Sequence, residues 1–159
     1  MRDRVYLAGA IEHTLDGGVT WRKDITPDLL VAGFDVLNPC ITTDGIVAKI
    51  LGWDHFSFDK WKAIKNNDPK KYKEATREVV SADIQAVQSC EHILVYFDEY
   101  AETSTGTHGE MTLARACNKN IVVLKIGAVY ISPWLEGCAT CICTTKKEAI
   151  KKMLENKSY

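Results

Sequence analysis

The sequence lacks an excess of charge of either sign. Its 159 residues contain 20 Lys and Arg against 21 Asp and Glu, which leaves a formal net charge of −1. Proteins that bind nucleic acid polymers or anionic membranes usually present a strongly basic surface. The composition therefore gives no reason to expect a nucleic acid polymer or a membrane as partner. An anionic ligand would have to be held by a local pocket.

Long hydrophobic runs, internal repeats and low-complexity segments are also missing. The apolar segment near the start is too short for a signal peptide, and no later run reaches membrane-spanning length. We therefore expect a cytoplasmic protein. The 46% of hydrophobic residues is enough for a real core, and 159 residues fit one domain. A single domain over residues 1–159 is predicted.

Patterns typical of disulfides or metal sites are weak, although the chain contains six cysteines. Most of them lie in apolar or helical stretches, and a chain of this size does not need disulfides. Cys138, Cys141 and Cys143 come nearest to a metal-binding cluster. However, Cys141 and Cys143 alternate along a predicted strand, and no second Cys/His pair follows at zinc spacing. We predict reduced thiols, no metal site and no cofactor.

Apolar runs alternate with helical patterns along the whole chain. Strands are predicted at residues 5–11, 34–39, 93–97, 121–124 and 140–144. A last helix is predicted over Lys146–Glu155, capped by Thr144 or Thr145. This alternation is typical of an α/β protein, so we predict a three-layer sandwich with a mostly parallel five-stranded sheet, Rossmann-like or flavodoxin-like.

Two of the predicted helices carry specific expectations. The first contains Pro27, so this helix should begin late or break near its first turn. In the helix before the third strand, Val80, Ile84 and Val87 recur at the spacing of one buried face. Asp83 lies beside that face. Its carboxylate is therefore expected to point into a site between helix and sheet.

Residues 40–60 mix aromatic side chains with loop character. The segment fits a lid or a base-binding wall, since aromatic rings stack on flat heterocycles. Packing of the same rings against the domain body is the alternative. In the Lys- and Glu-rich stretch that follows, Asn66-Asn67-Asp68-Pro69 predicts the end of one helix and the start of another, with a solvated charged face.

The stretch from Ser104 to Glu110 follows the third strand and precedes the helix-forming run 111–116. It predicts a strand, a loop and a helix N-terminus, with Glu110 among small residues and unpaired backbone N–H groups. A carboxylate in this place is a candidate for chemistry. The alternative is an acid that only interacts favourably with the helix dipole, worth about 0.3–1 kcal/mol.

Ligands of open parallel sheets bind beyond the carboxyl ends of the strands. Three features of the sequence occupy those ends, namely the Gly9-Ala10 turn, the Asn38-Pro39 corner and the loop 104–110. We expect them to converge. Small residues and helix N-termini supply N–H groups that suit an oxyanion, most naturally a phosphate.

In this order, the motifs resemble the nucleoside 2-deoxyribosyltransferase superfamily, and more closely its nucleoside 5′-monophosphate N-glycosidase branch. The matching segments are Tyr6-Leu7-Ala8-Gly9, Trp21-Arg22, Asn38-Pro39, Asp83 in a Ser-Ala-Asp-Ile context, Ser104-x-Gly106-x-x-Gly109-Glu110 and Ile121-Val122-Val123-Leu124. They cover nearly the whole chain. Each motif is weak alone, but the ordered set with its Gly-Glu is fairly specific. The resemblance implies the α/β fold of the deoxyribosyltransferase type.

The resemblance also implies catalytic roles. Glu110 would attack the anomeric carbon of a nucleoside or nucleotide, displace the base and leave a covalent glycosyl ester. Asp83 would lie near the nucleophile and the leaving base, where burial and Glu110 raise its pKa so that it passes a proton to the base. The ring of Tyr6 would lie next to the sugar. Gly9, Ala10 and Asn38 are expected to contact the substrate.

Substrate choice is read from the position six residues before the nucleophile. Members resembling free-nucleoside transferases have an aspartate there, and members resembling the monophosphate N-glycosidases have a serine, as here with Ser104. A hydroxyl and the Gly106 backbone can accept a phosphate, with Arg22 as a counter-charge. We predict hydrolysis of a (deoxy)nucleoside 5′-monophosphate. The alternatives are base exchange on a free deoxynucleoside and a non-catalytic nucleotide-binding or sensor module.

The chain departs from the simplest family pattern in three places. Ala10 replaces a frequent proline, His108 stands two residues before the nucleophile, and the segment 44–73 is longer than in the compact hydrolases. His108 either contacts substrate, titrating near neutral pH, or is a solvated loop residue. The resemblance further implies a homodimer or higher homo-oligomer. The loop 127–134 or Tyr159 would then contribute to contacts between subunits.

Overall fold

A five-stranded sheet with helices on both faces forms the structure, a computed structural model that describes residues 2–157. The strands are β1 (Arg4–Gly9), β2 (Asp35–Leu37), β3 (His92–Phe97), β4 (Asn120–Lys125) and β5 (Cys141–Cys143). The helices are α1 (Val19–Val31), α2 (Pro39–Leu51), α3 (Phe58–Asn67), α4 (Pro69–Ser89), α5 (Thr105–Ala116), α6 (Pro133–Cys138) and α7 (Lys146–Glu155), and a short 3-10 helix covers Ala101–Thr103. The predicted α/β sandwich is confirmed.

Every strand pairing in the sheet is parallel, and the strand order is β2-β1-β3-β4-β5. β1 therefore lies inside the sheet, between β2 and β3. Gly9 at the end of β1 is opposite Tyr96 near the end of β3. The carboxyl ends of these strands lie side by side, so the turns that follow them converge as expected.

Side chains of β1 alternate between two hydrophobic cores. Tyr6 and Ala8 face the core that includes α4, α5 and α6, whereas Val5 and Leu7 face the core that includes α1 and α7. All four side chains are fully buried. This alternation is the period-two pattern of a strand covered on both faces. It directs Tyr6 towards the helix that carries Glu110.

Helix α1 runs without interruption although it contains Pro27. The prediction that this helix begins late or breaks is therefore wrong. Pro27 cannot donate to the carbonyl of Lys23, but both residues are exposed, so solvent can satisfy that carbonyl. Burial of Ile25 and Leu29 on the opposite face holds the helix on the sheet.

The segment that the sequence left unassigned forms α2 and α3. Asn38 caps α2 by accepting a hydrogen bond from the backbone N of Cys40 at 3.0 Å, and Pro39 occupies the first turn. The helix ends at Gly52, whose φ of 69° suits glycine. α3 ends and α4 begins around Asp68 and Pro69, as predicted.

Aromatic residues of this segment pack onto α4 and form a small separate core. Its buried members are Val47, Trp61 and Ala75, with Ile50, Leu51, Trp53, Phe56, Tyr72 and Val79 packed around them. The Trp61 side chain is only 8% exposed. Of the two alternatives for these rings, packing against the domain is the one observed.

The buried face of α4 differs from the prediction. Val87 is fully buried, but Val80 and Ile84 are 50% and 40% exposed. The expectation that all three share a buried face is wrong. The buried residues of this 21-residue helix are Ala75 and Val87, and residues 80 and 84 lie at the edge of the face that these two define. Asp83 is partly buried, and its carboxyl interacts with Tyr6 of β1.

Several smaller expectations can be compared with the described residues. Thr145 caps α7, whose bounds agree with the prediction, and all six cysteines are free thiols. α6 was not predicted. Within residues 2–157, no helix is both long and apolar enough to cross a membrane, and no three His, Cys, Asp or Glu side chains are grouped to hold a metal ion. The expected role of Tyr159 lies outside the described residues.

Replacing Trp61 with alanine should lower the free energy of unfolding by about 3 kcal/mol, because it removes a buried ring and leaves a cavity. Trp134→Ala is the matched control: its side chain is 69% exposed, and its loss should cost less than about 1 kcal/mol. Urea unfolding followed by circular dichroism measures both. Equal losses in the two variants would contradict a separate core over α4.

Candidate active site

Helix α5 begins before Glu110 rather than at it. Ser104 is the N-cap: its Oγ accepts from the backbone N of Thr107 at 3.4 Å and lies 2.9 Å from Thr107 Oγ1. The predicted loop through Glu110 is therefore wrong, since capping and burial of Thr107 outweigh the low helix propensity of Gly106. Glu110 lies in the second turn, where the helix dipole has largely fallen off. The dipole alternative thus loses its basis.

The side chain of Glu110 is joined to β1 by a short hydrogen bond. The hydroxyl of Tyr6 donates to Oε1 of Glu110 at 2.6 Å. Tyr6 is fully buried, and burial, followed by the charges of Glu110 and Asp83, raises its pKa well above the usual value. Tyr6 is therefore a protonated donor at neutral pH. Glu110 as a whole residue is only partly buried.

Asp83 of α4 is the second carboxylate of the site. Burial raises the pKa of Asp83 to about 6, against the opposing effects of hydrogen bonding to Tyr6 and the charge of Arg22. Burial raises the pKa of Glu110 to about 8; the Tyr6 hydrogen bond and Arg22 oppose this shift, and Asp83 adds to it. Between these pH values the pair holds one proton and one negative charge.

The two raised pKa values belong to a coupled pair, so the shared proton is a property of the pair rather than of either carboxyl. The expected roles, a nucleophilic Glu110 and an acidic Asp83, require that this proton lie on Asp83. The pair still has the right composition for the chemistry, because one carboxylate and one carboxylic acid are present together.

Arg22 is buried beneath the turn that follows β1. Its side chain is 1% exposed. Nε donates to the carbonyl of Leu7 at 3.2 Å, Nη1 to that of Gly18 at 2.7 Å and Nη2 to that of Gly9 at 2.9 Å. These bonds keep the guanidinium inside the protein. The role of Arg22 as a counter-charge to a phosphate stays a prediction, and in the structure its nitrogens are bonded to backbone carbonyls.

The residues at the ends of β1 and β2 serve the protein's own packing. A Cβ at Gly9 would come within 2.8 Å of the Trp21 ring and 3.3 Å of the Tyr96 carbonyl oxygen, so only glycine fits there. Ala10 is 3% exposed at the start of the turn. Asn38 uses its side-chain oxygen to cap α2. All three lie at the carboxyl edge of the sheet, as predicted.

At the start of α5, one residue is exposed to solvent and another already uses its side chain in a hydrogen bond. Gly106 is exposed, with nothing within 4 Å of an added Cβ, whereas the Ser104 hydroxyl is engaged with Thr107. His108 is partly buried in α5 rather than a solvated loop residue. Its Nε2 donates to the carbonyl of Ala101 at 2.9 Å, so it ties the 3-10 helix to α5, and its contact with substrate stays a prediction.

A cleft of about 310 Å³ lies on the α1 side of the sheet edge, and neither acid of the pair lines it. Trp21 and Tyr96 form a stacked wall with ring centroids 4.8 Å apart. The residues that line the cleft are Ala10, Thr14, Leu15, Asp16, Gly18, Thr20, Trp21, Asp24, Tyr96, Asp98 and Tyr100. This cleft was not predicted from the sequence. The acidic residues at positions 16, 24 and 98, which lie close to strand ends and to the first helix, are the feature of the sequence that could have indicated it.

Glu110→Gln should stabilise the protein at alkaline pH. The folded-state pKa of Glu110 is raised from 4.5 to about 8, so the unfolded chain loses this proton at lower pH and stability falls as pH rises through that window. Glutamine stays neutral. At about pH 9 the variant should exceed wild type by about 2 kcal/mol, allowing for partial solvent contact, and at about pH 4 the two should differ little.

Urea unfolding at both pH values measures this difference. Glu78→Gln, at an exposed position of α4, is the matched control and should show no such dependence on pH. A stability difference for Glu110→Gln that stays constant with pH would mean that Glu110 ionises normally in the folded protein.

Comparisons with known proteins agree with this architecture. No protein-family model and no curated protein matches the chain. A solved CMP N-glycosidase of Clostridium botulinum matches with a TM-score of 0.53 and 16% identity, over 94% of this chain and 97% of that one. A 2-deoxyribosyltransferase of Bacillus psychrosaccharolyticus matches with a TM-score of 0.63 and 14% identity, over 92% and 90%.

A conserved protein from Enterococcus faecalis V583 matches with a TM-score of 0.68 and 11% identity, over 98% of this chain and 99% of that one. At such identities the similarity concerns the fold, and it extends over nearly the full length of all three structures. The chain therefore shares its α/β fold with a CMP N-glycosidase and a 2-deoxyribosyltransferase, and this fold is the one that the order of its motifs implied.

Proposed function

We propose that the protein cleaves the N-glycosidic bond of a (deoxy)nucleoside 5′-monophosphate through a covalent intermediate on Glu110. The observation that carries this proposal is the acid pair. Glu110 and Asp83 have pKa values raised by burial, and the Tyr6 hydroxyl donates to Glu110 at 2.6 Å. The fold is shared with a CMP N-glycosidase and a 2-deoxyribosyltransferase, which supports glycosyl chemistry.

In the first step, an oxygen of Glu110 forms a bond to the anomeric carbon while the bond from that carbon to the base nitrogen breaks. The electron pair of the broken bond leaves with the base, and Asp83 supplies the proton that neutralises it. Because Oε1 of Glu110 accepts the hydrogen bond from Tyr6, Oε2 is the oxygen left to attack. Tyr6 thus orients the nucleophile.

In the second step, water attacks the same carbon and breaks its ester bond to Glu110. Asp83, now ionised, accepts the proton from water. The products are the free base and a sugar 5-phosphate, and the Glu110 carboxylate is restored. A second base in place of water would give base exchange, so one site serves both reactions.

Preference for a nucleotide rests on the start of α5. Ser104 is uncharged, and the exposed Gly106 in the first turn leaves backbone N–H groups open to a phosphate. Base exchange on a free deoxynucleoside is the second candidate. It is favoured by Asp16 and Asp98, which line the cleft beside Trp21 and Tyr96 and would repel a phosphate bound there.

Glu110→Ala should abolish release of free base from nucleoside monophosphates, lowering kcat/KM by at least about a thousandfold, because the nucleophile is lost. Chromatography after incubation with a panel of nucleotides and nucleosides measures the base. The exposed variant Glu78→Gln is the control. Mass spectrometry of quenched wild-type protein should find the sugar phosphate on the peptide that contains Glu110.

The outcomes separate the alternatives. Activity retained in Glu110→Ala would rule out the nucleophile, and nucleotide binding by wild-type protein without base release would indicate a non-catalytic module. A second free base added to the reaction distinguishes the two enzymes: a new nucleotide or nucleoside shows transfer, and sugar phosphate alone shows hydrolysis.

Ser104→Asp should lower the ratio of kcat/KM for a nucleotide to that for its nucleoside by about tenfold or more, since the added carboxylate repels a phosphate. Aspartate is also a good N-cap, so α5 should be preserved. Ser104→Asn is the matched uncharged control. An unchanged ratio in Ser104→Asp would remove the reason for preferring nucleotides.

A further inference from the structure

Within residues 2–157, His108 is the one residue of α5 whose side chain hydrogen-bonds to the 3-10 helix Ala101–Thr103. Nε2 of the imidazole donates to the carbonyl oxygen of Ala101 at 2.9 Å. Because a carbonyl oxygen can only accept, Nε2 is the nitrogen that carries the proton of the neutral ring. The ring also lies parallel to that of Phe97, the last residue of β3, with centroids 6.4 Å apart. One side chain thus contacts β3, the 3-10 helix and its own helix.

The carbonyl that His108 binds also takes part in the start of α5. It accepts a second hydrogen bond, from the backbone N of Ser104 at 3.2 Å, and Ala101 itself is fully buried. Ser104 is the N-cap of α5, and its carbonyl accepts from the backbone N of His108 at 3.1 Å. Ala101, Ser104 and His108 therefore form a closed ring of hydrogen bonds. The imidazole supplies one of the three links in this ring.

The 3-10 helix has other attachments, which do not involve His108. Oδ1 of Asp98 accepts from the backbone N of Ala101 at 3.0 Å, and Oε1 of Glu102 accepts from the backbone N of Tyr130 at 2.8 Å. Without the imidazole, the 3-10 helix would stay attached to the end of β3 and to the loop before α6. The link that is lost lies where the chain enters α5.

We propose that His108 is a positioning residue, which fixes Ser104 and the first turn of α5 for the phosphate of a nucleotide. This inference rests on the proposed function, because the preference for a nucleotide is assigned to the same turn. Glu110 is held separately, by its hydrogen bond from Tyr6 in β1. His108 therefore acts on recognition of the phosphate more than on the cleavage step.

Two amide side chains of different length test the hydrogen bond. The amide nitrogen of glutamine is as many bonds from Cβ as Nε2 of histidine, whereas the amide nitrogen of asparagine is closer to Cβ, like Nδ1. His108→Gln can therefore still donate to Ala101, and His108→Asn falls short of it. Asparagine and histidine have similar helix propensities, so His108→Asn should leave the helix itself intact.

His108→Asn should raise the Kd of a nucleoside monophosphate about fivefold to tenfold, and that of the matching nucleoside by less than about twofold. His108→Gln should stay within about twofold of wild type for both ligands. Calorimetric titration in a Glu110→Gln background measures the affinities without turnover. Ala116→Asn, at an exposed position of the same helix, is the matched control and should change neither affinity.

A histidine with a merely structural role would affect both ligands alike. Equal weakening of nucleotide and nucleoside in His108→Asn would overturn the proposal, and so would a loss in His108→Gln as large as in His108→Asn. If His108→Asn does not fold, His108→Phe takes its place in the same comparison, because it keeps a ring against Phe97 but has no donor.

Hydrogen exchange of the Ser104 amide, followed by NMR, tests the ring of hydrogen bonds without any ligand. This amide donates to the same carbonyl as the imidazole, so it should exchange faster in His108→Asn than in wild type or His108→Gln. Unchanged exchange in His108→Asn would mean that the imidazole does not hold the start of α5.

Failure of this inference differs from failure of the proposed function. If wild-type protein binds nucleotides without releasing base, and His108→Asn weakens this binding selectively, the function is wrong and the position of His108 stands. If base is released, His108→Asn should raise KM for the nucleotide about fivefold and leave kcat within about twofold. Base release with an unchanged ratio of nucleotide to nucleoside affinity would retain the function and overturn the role of His108. Absence of nucleotide binding in wild-type protein would overturn both.

Discussion

The hydrogen bond from Tyr6 to Glu110 connects the hydrophobic core to the candidate chemistry. The ring of Tyr6 is part of the core between the sheet and α5, while its hydroxyl reaches the carboxylate. β1 is paired on both sides, so the position of this hydroxyl is fixed by the sheet. The same packing that orients Glu110 removes water from it, and that burial raises its pKa.

The charged groups of the candidate site destabilise the folded protein. Glu110, Asp83 and Arg22 are at least partly withdrawn from water, which disfavours ionised groups. The two cores on the faces of the sheet, which contain fully buried side chains such as Leu7 and Ile93, offset this cost. The packing of the two cores thus holds these ionisable groups in a conformation that they would not stabilise by themselves.

The alternation of strands and helices could be predicted from the sequence, because apolar runs and helical spacing are clear along most of the chain. Glu110, Asp83 and Tyr6 could also be singled out from ordered motifs. Tertiary contacts decided the rest. The burial of Arg22 against backbone carbonyls exists only once β1 and α1 are in place, and the exposure of Val80 depends on how α4 is rotated.

The order of pairing along the chain has a consequence for its synthesis. β1 is made first, yet one of its two neighbours is β3, with Val5 opposite His92. On the ribosome, the first strand can pair only with β2 until more than half of the chain has emerged. Glu110 follows later still. The nascent chain therefore cannot bring Asp83 and Glu110 together before β3, the second neighbour of β1, has been made.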